Sequence, residues 1–593
     1  MNDERGRMNG RRSSFILHRS ALFPLLLFAT MCASTPKLTL DEKIGQLFVP
    51  GAHGMFMAES SKSYQQFVHD VRDNHVGGFI WFVSNVYETA LLNQKLQEQS
   101  KVPLLISADL ESGIGMRFLD TTFWPSAMAI AATGDPSYAE KEGRVVAREA
   151  RAVGINHILA PVADVNVDPD NPVINTRSFG EDPAEVGRFV TAFIRGVQSE
   201  HVLACAKHFP GHGDTHVDSH RSLPVLNVTR ERLDRVELVP FREAIQAGVK
   251  SIMIGHLSIP SIEPTLAPVR DFAHTDNPYG TRPEEVPAGG TLPATVSPRI
   301  IDGLLRHDLG YDGLVVSDAF DMGGLTEHFD PGEAAVRAIE AGEDQVMLSP
   351  NVDAAVAAVK AAVKSGRISE VRIDESVRRI LDAKAFTGTP KIDPENIFRT
   401  IDAPEHRQLA SEIAQHALTL VRAQSGVLPL RRKTRVLLVL VNDASDAPNP
   451  LTDLQREITA RIDTAPQVIT IDPRSAAPAM PSDVDVAIVG LAIRARSGAG
   501  SIAVPAVARD FIRNLNVPVV AISFGSPYML REIPIAGTYF CAYGIQPVMQ
   551  VASAAALFGE SAFTGRLPVT IPGFAQRGTG LQFPATDSSL RSE

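Results

Sequence analysis

Eight short apolar runs, separated by amphipathic segments, fill the chain from residue 41 to about 365. The runs are rich in Val, Ile and Leu without strict polar alternation, as is typical of strands buried on both faces of a parallel sheet. They begin at residues 47, 76, 103, 157, 202, 251, 313 and 344. Eight such units predict a (β/α)8 barrel. The alternative, an open doubly wound sheet, rarely reaches eight units, and no GxGxxG motif follows the first run.

The remainder of the chain predicts a second, smaller α/β domain. We expect the barrel to occupy residues 36–386, since the segment 373–386 has the apolar spacing of a helix packed on it. A linker from 387 to 430 follows, helical around 405–420. Four further apolar runs, beginning at residues 435, 485, 518 and 538, predict a three-layer α/β sandwich over residues 431–593.

Five arginines and a short apolar run mark the N-terminus. The arginines are Arg5, Arg7, Arg11, Arg12 and Arg19, and the run ALFPLLLFATMC is too short to span a bilayer. The pattern predicts a leader over residues 1–35 and export to the cell envelope or periplasm, or secretion. Cys32 ends the run and leaves three outcomes open, namely lipid attachment at Cys32, plain cleavage nearby, or an uncleaved anchor. Met31 before it fits the usual lipoprotein signal poorly.

Charge and cysteine content exclude two broad classes of protein. The net charge of −11 provides no general field that would attract nucleic acid. Only Cys205 and Cys541 lie beyond the leader, far apart in sequence, so no disulfide framework is expected.

Polar residues follow the predicted barrel strands at the points where these strands end. Because reactive groups in a barrel lie at the carboxyl ends of the strands, we expect these side chains to converge on one mouth. They are Asp109 and Glu111 after the third run, Asp164 after the fourth, Lys207 and His208 in the fifth, His256 after the sixth and Asp318 after the seventh, with Arg117 and Arg177 in the following loops. Such a set suits the binding of sugar hydroxyls and cleavage of a glycosidic bond. Asp318 is the candidate nucleophile; a helix cap or a buried ion pair is the alternative for each carboxylate.

The stretch KHFPGHGDTHVDSH, residues 207–220, places four histidines four residues apart. On a helix they would share one face and suggest a metal site. Pro210, Gly211 and Gly213 disfavour that helix, and no HExxH motif is present. The stretch therefore predicts a loop. In such a loop Asp218 and His220 can hydrogen-bond and form an acid/base pair, although an ordinary turn is the alternative.

The same stretch resembles the signature of glycoside hydrolase family 3, in the branch of β-N-acetylglucosaminidases (β-N-acetylhexosaminidases). Three further segments support the resemblance, namely residues 160–183, 292–325 and 556–572. The resemblance implies Asp318 as the catalytic aspartate and His220, with Asp218 as its partner, as the acid/base. It also implies Asp109, Arg117, Arg177, Lys207 and His208 as sugar contacts, and no metal or cofactor. The implied reaction is retaining, with attack by Asp318 and proton transfer by His220.

The expected substrate is a small β-linked N-acetylglucosaminide, from peptidoglycan fragments or chitin oligosaccharides, cleaved by a monomeric exo-acting enzyme outside the cytoplasm. Because histidine becomes a neutral base after donating its proton, phosphate could compete with water, and phosphorolysis is a further hypothesis. Residues 431–593 are expected to pack on the barrel or shape the substrate site.

Three rival readings stay open, namely a family 3 β-glucosidase or β-xylosidase, a catalytically inactive sugar-binding envelope protein, and a zinc hydrolase. One departure from the family pattern D-x-E-G-G-R-V-x-R-F bears on specificity, since Ser112 and Ile114 replace its first Gly and first Arg. The lost guanidinium is expected to alter loop packing or leaving-group preference.

Overall fold

The computed structural model describes residues 37–54, 56–118, 121–270, 290–444, 448–480, 482–495, 498 and 502–585. The predicted leader, with Cys32, lies outside the described residues, as does almost all of the first compact unit, Met1–Leu38. Thr39–Glu593 form the second unit. Among the helices in the described ranges, none combines the length and the apolar character needed to cross a membrane.

The N-terminal half forms a closed ring of parallel strands in the described part of the chain. The strands are β1 Phe48–Val49, β2 Gly51–Gly54, β3 Gly78–Ser84, β4 Leu105–Ala108, β5 His157–Ile158, β6 Leu203–Phe209, β7 Ser251–Ile254, β8 Leu314–Ser317 and β9 Val346–Met347. Strands β2 to β8 pair in chain order, and β1, which continues into β2 across Pro50, pairs with β9. A parallel bridge between Val316 and Gln345 joins β8 to the β9 segment and closes the ring. The predicted (β/α)8 barrel is confirmed.

The same half contains helices, most of which surround the ring and bury their apolar faces against it. They are α1 Leu40–Gly45, α2 Lys62–Arg72, α3 Val86–Gln99, α4 Ala127–Ala132, α5 Ser137–Ala152, α6 Pro183–Gln198, α7 Arg230–Arg235, α8 Val239–Gln246, α9 Gly323–Thr326, α10 Pro331–Ala341, α11 Val352–Lys364 and α12 Glu370–Thr387, with a π-type helix at Arg299–Asp308. Asp182 caps α6, accepting the backbone N–H groups of Ala184 and Glu185, and Pro183 is its first residue. Strands β4 to β8 are buried along their whole length, which explains their continuous apolar runs.

The C-terminal half contains a second, six-stranded sheet with helices. Its strands are β10 Thr419–Arg422, β11 Val436–Asn442, β12 Gln467–Ile471, β13 Val486–Ala492, β14 Val519–Ser523 and β15 Thr538–Cys541, and its helices are α13 Pro394–Thr400, α14 Pro404–Ala417, α15 Thr452–Thr459, α16 Ala506–Arg513 and α17 Pro547–Leu557. The order is β10-β15-β14-β13-β11-β12, parallel except for β10 against β15. The four predicted strands are present. Edge strand β12 is largely exposed and so lacks an apolar run, and β10 lies within the segment predicted as a linker. The boundaries at 386 and 430 stay predictions.

Buried polar contacts fix the second domain on the barrel loops. The Asn166 amide, after β5, donates to the Tyr528 hydroxyl at 2.9 Å, and the Ser126 hydroxyl, at the start of α4, donates to the Tyr543 carbonyl at 3.0 Å. Glu181 accepts the backbone N–H and the hydroxyl of Thr570. Because these loops follow the carboxyl ends of β4 and β5, the second domain lies at the mouth of the barrel.

Candidate active site

One cavity of about 730 Å³ opens at the carboxyl ends of the barrel strands. Its volume lies within the range of pockets that enclose small ligands, about 300–1,000 Å³. Seven of the eight predicted site residues line it, namely Asp109, Arg117, Arg177, Lys207, His208, His220 and Asp318. The eighth, Asp218, stands behind His220 and contacts it directly. The structure therefore brings the predicted set together, and the roles of its members stay predictions.

Two carboxylates and three cations form a network at one side of the cavity. The Lys207 ammonium lies 2.7 Å from Asp109 Oδ1 and 2.7 Å from Glu111 Oε1. Arg117 donates to Asp109 at 2.6 Å, and Arg177 binds both oxygens of Glu111 at 2.7 and 2.8 Å. The forked arginine contact gives geometric specificity as well as charge pairing.

The network keeps both carboxylates ionised although they are removed from bulk water. Burial by itself raises the pKa of Asp109, but the charges of Lys207 and Arg117 outweigh burial and lower it to about 2. Burial likewise raises the pKa of Glu111, and Arg177 and Lys207 together bring it well below its usual range. A rigid, charged set of donors and acceptors of this kind can hold the hydroxyl groups of a sugar.

His208 is held in place by a carboxylate that lies outside the cavity lining. Asp164, fully buried, accepts from His208 Nδ1 at 2.7 Å and from the backbone N–H of His212 at 2.7 Å. A carboxylate on Nδ1 fixes the orientation of the imidazole ring. Asp164 thus acts as a buried partner that orients His208. A structural role of this kind is the alternative that the sequence left open for each carboxylate at a strand end.

Asp318 follows β8 and faces the cavity from a fixed backbone. Its backbone N–H donates to the Ile254 carbonyl at 2.9 Å, and its Oδ1 accepts the backbone N–H of Ala319 at 2.8 Å. Burial raises the pKa of Asp318, but His208, His256, His220 and the Ala319 N–H outweigh this and lower it. An ionised, cavity-facing carboxylate has the protonation state that a nucleophile requires.

His256 supports the Asp318 segment without lining the cavity. Its Nε2 donates to the Ala319 carbonyl at 2.8 Å, and its Nδ1 lies 2.9 Å from the Thr295 hydroxyl. The Nε2–H tautomer follows, because a carbonyl oxygen only accepts a hydrogen bond. Burial lowers the pKa of His256, so the neutral ring is favoured.

Asp218 and His220 form a hydrogen-bonded pair on the loop after β6. Asp218 Oδ1 accepts from His220 Nδ1 at 2.9 Å and from the His220 backbone N–H at 3.0 Å. Asp218 is only 2% exposed, whereas His220 lines the cavity. Burial raises the pKa of Asp218, but the hydrogen bonds from His220 and from the Gly498 N–H outweigh it and lower the pKa. A carboxylate on Nδ1 fixes the orientation of the imidazole ring and leaves Nε2 for the proton-transfer role.

Backbone contacts hold this loop against the segment that follows Asp318. The N–H of Gly323 donates to the His220 carbonyl at 2.9 Å, and the N–H of Gly324 donates to the Ser219 carbonyl at 3.1 Å. A Cβ on Gly323 would lie 2.2 Å from the Arg221 carbonyl oxygen, so only glycine allows this approach. The contact sets the position of His220 relative to Asp318.

The four regularly spaced histidines do not share a helix face. This confirms the prediction, made from the Pro and Gly residues of the stretch, that no helix runs through it. His212 lies buried between the hydroxyls of Thr215 and Ser219, and burial lowers its pKa to about 4. The exposed side chain of His216 lies 2.6 Å from a carboxylate oxygen of Asp168. Within the described ranges no cluster of three or more His, Cys, Asp or Glu side chains has the arrangement of a metal site.

Ser112 and Ile114, the two residues that depart from the family pattern, are accommodated in the packed structure. Ile114 is fully buried and opens a short helical turn, Ile114–Met116, while Ser112 lines the cavity. Ile114 therefore packs beneath the loop that carries Arg117, and the expected effect on loop packing or leaving-group preference stays a prediction.

The second domain adds residues to the cavity that the sequence reasoning missed. They are Arg494 and Ala495 after β13, and Tyr543, Gly544, Ile545 and Gln546 after β15. All follow parallel strands at their carboxyl ends, where open α/β sheets bind ligands. The sequence analysis searched the carboxyl ends of the barrel strands for functional residues. The same search at the carboxyl ends of the strands in the second sheet locates these positions. The side-chain oxygen of Gln546 is buried with no hydrogen-bond partner in the described structure.

Comparisons with known proteins bear on the family and the fold. A family model described as "Glycosyl hydrolase family 3 N terminal domain" matches residues 39–383. The "Beta-N-acetylglucosaminidase/beta-glucosidase" of Cellulomonas fimi is 32% identical over 549 residues, 89% of this chain and 93% of that protein. "Beta-hexosaminidase A" of Pseudoalteromonas piscicida is 34% identical over 394 residues, 62% of this chain and 63% of that protein. The solved structure of a glycoside hydrolase family 3 β-N-acetylglucosaminidase from Paenibacillus sp. str. FPU-7 is similar with a TM-score of 0.75 and 32% identity, covering 90% of this chain and 99% of that one.

Proposed function

The chain belongs to glycosyl hydrolase family 3, and from that premise we propose that it is a retaining exo-β-N-acetylglucosaminidase. The acetamido sugar is supported by the names of its relatives, a β-N-acetylglucosaminidase/β-glucosidase, a β-hexosaminidase and a β-N-acetylglucosaminidase of known structure. The mechanism is supported by one observation above the others, namely that Asp318 and the Asp218-bound His220 line the same cavity.

The first half of the reaction forms a covalent intermediate. The Asp318 carboxylate attacks the anomeric carbon, the glycosidic C–O bond breaks, and His220 Nε2 gives its proton to the departing oxygen. Asp218 stays ionised and stabilises the imidazolium before that transfer. The charged network around Lys207 binds the sugar hydroxyls and keeps the ring oriented.

The second half regenerates the enzyme. His220, now neutral, takes a proton from water, and the resulting hydroxide attacks the anomeric carbon of the Asp318 ester. The bond to Asp318 breaks, and the sugar leaves with the same anomeric configuration as the substrate. If phosphate replaces water, the product is a sugar 1-phosphate, so product analysis with and without phosphate tests the phosphorolysis hypothesis.

A mechanism-based fluorosugar tests the nucleophile and the retention together. Intact mass is measured after incubation of the wild type and of Asp318→Asn with 5-fluoro-N-acetylglucosaminyl fluoride, an activated fluorosugar that keeps the acetamido group at C2. We expect a stable adduct on the wild type alone. An equal adduct on both proteins, or none on a wild type that turns over substrate, would refute Asp318 as nucleophile.

The sugar specificity is tested with two chromogenic substrates that differ at one position. We expect kcat/KM for the 4-nitrophenyl β-N-acetylglucosaminide to exceed that for the β-glucoside. A reversed preference would assign the chain to the β-glucosidase alternative, and ligand binding without turnover of either substrate would assign it to the inactive sugar-binding class.

The proposed location is supported by the N-terminal sequence, since the arginines and apolar run of residues 1–35 are typical of an exported protein. The proposed natural substrates, peptidoglycan fragments or chitin oligosaccharides, are supported by the resemblance to family 3 β-N-acetylglucosaminidases. Membrane attachment through Cys32 is tested by fractionating cells that express the full chain and its Cys32→Ser variant. A monomer is expected from light scattering of the purified protein.

A further inference from the structure

A backbone group of the second domain contacts the buried carboxylate behind the acid/base histidine. The N–H of Gly498, beyond the end of β13, donates to Asp218 Oδ2 at 2.7 Å, across a separation of 280 residues in sequence. The other oxygen of Asp218 is occupied by the ring and the backbone N–H of His220. Within the part of the chain that the structure describes, Gly498 is the one donor to Oδ2.

The donor is important because Asp218 is nearly inaccessible to water. Asp218 is 2% exposed, so an oxygen without a partner there would be a buried, uncompensated acceptor. Three N–H donors to one carboxylate stabilise its ionised form. They also fix the plane of the carboxylate, and with it the direction of the His220 ring, because Nδ1 must point at Oδ1.

The barrel holds one side of this pair and the second domain holds the other. Gly323 fixes the His220 carbonyl from the Asp318 side, as described above. The Gly498 contact comes from the opposite domain, which is fixed to the barrel loops by the Asn166–Tyr528 and Ser126–Tyr543 hydrogen bonds. The carboxylate is therefore complete only when the second domain is seated on the barrel.

We infer that the second domain positions the acid/base pair of the active site through the N–H of Gly498, which holds Asp218 so that His220 is aligned for proton transfer. Gly498 acts through Asp218 and touches neither the sugar nor the reacting atoms, so it is a positioning residue. The inference rests on the proposed function, since it assigns proton transfer to His220.

The test uses a variant that removes the donor and a matched variant that keeps it. Gly498→Pro lacks the N–H. Gly498 has a φ of 75°, a conformation that Asn tolerates better than other residues, so Gly498→Asn keeps the N–H with little strain. Both variants add a side chain at the same place. Gly498→Pro removes the N–H and, because proline fixes φ at about −65°, also shifts the backbone of residue 498 from its φ of 75°. The comparison of two leaving groups separates a loss of proton transfer from a general disturbance by that shift.

The readout is kcat/KM on two N-acetylglucosaminides with different leaving groups. A 2,4-dinitrophenyl leaving group departs without protonation, whereas the sugar oxygen of N,N′-diacetylchitobiose needs the proton from His220. For Gly498→Pro we expect a loss of about 10- to 100-fold on the disaccharide, the effect of removing a hydrogen bond to a charged group, and less than about 3-fold on the dinitrophenyl substrate. Gly498→Asn should stay near the wild type on both.

Three outcomes would overturn the inference. If kcat/KM of Gly498→Pro fell equally on both substrates, the substitution would have disturbed the cavity in general. If it fell on neither, the hydrogen bond from Gly498 would be dispensable. The same pattern in Gly498→Asn would show that the added side chain, not the missing N–H, is responsible. Fluorosugar labelling of Asp318 in each variant confirms an intact site. A wild type that turns over neither substrate would instead refute the proposed function.

Discussion

Replacing Lys207 by Met tests the electrostatic reasoning about the cavity most directly. The Lys207 ammonium is 2% exposed and lies 2.7 Å from both Asp109 and Glu111. Met has a similar length but no charge, so the variant removes two ion pairs with little change in packing. Arg117 and Arg177 still pair with one carboxylate each. The free energy of unfolding is therefore expected to fall by about 3 kcal/mol, near the lower end of the range for a broken buried ion pair.

The pH dependence of this loss follows from the direction of the pKa shifts. In the wild type the pKa of Asp109 is lowered to about 2 from an ordinary value near 3.8, which contributes about 2 kcal/mol of stability at neutral pH. That contribution is fully present above pH 3.8 and is lost as the pH falls through 2. Without Lys207 the pKa values of Asp109 and Glu111 both rise, and the two carboxyls become protonated at a higher pH. The difference between wild type and variant should thus be largest at pH 7 and smaller at pH 4.5.

Scanning calorimetry at pH 7 and pH 4.5 measures the effect, together with kcat/KM at pH 7. We expect the barrel transition of Lys207→Met to fall by about 5 °C or more at pH 7 and by less at pH 4.5, with a large loss of activity. Lys384→Met is the matched control, because Lys384 is equally buried but its ammonium faces the side-chain oxygen of Gln46, not a carboxylate. An unchanged transition in Lys207→Met at pH 7, or an equal fall at both pH values, would refute the reasoning.

Three further predictions concern other groups. His220→Ala should lower kcat/KM by about 10²- to 10⁴-fold on a disaccharide and much less on a dinitrophenyl glycoside; equal losses on both would argue against His220 as the acid. Burial lowers the folded-state pKa of Lys384 to about 7, below its unfolded value of 10.5, so between these pH values the unfolded chain binds one more proton than the folded protein. The wild type should therefore gain stability relative to Lys384→Met as the pH rises from 7 to 9. Melting curves at both pH values measure this, and a constant difference in melting temperature would contradict it. Activity should persist after dialysis against EDTA, whereas a loss restored by zinc would revive the metal hydrolase reading.

Much of the fold could be predicted because burial leaves a local mark on the sequence. Strands buried on both faces need uninterrupted apolar residues, and so the eight barrel units could be counted. Strand β12 could not be found in this way, since four of its five residues are not buried and it makes no apolar run. Strand β10 lies directly after α14 and pairs with β15, 120 residues later along the chain, a partner that no local pattern indicates.

The candidate site, like the fold, could be predicted from the sequence only in part. Local sequence patterns indicated which side chains end the barrel strands, that Pro210, Gly211 and Gly213 disfavour a histidine helix, and that Asp218 and His220 are close enough to pair. These are consequences of backbone conformation over a few residues.

The partners that those side chains contact follow from the packing of distant parts of the chain. This packing placed Asp164 behind His208, paired Arg177 with Glu111, and brought Gly498 of the second domain to Asp218. The physical reason is that a buried charge must find a partner wherever the packed chain supplies one. For Oδ2 of Asp218 that partner is a backbone N–H 280 residues away, a group that every non-proline residue carries and that sequence composition cannot distinguish.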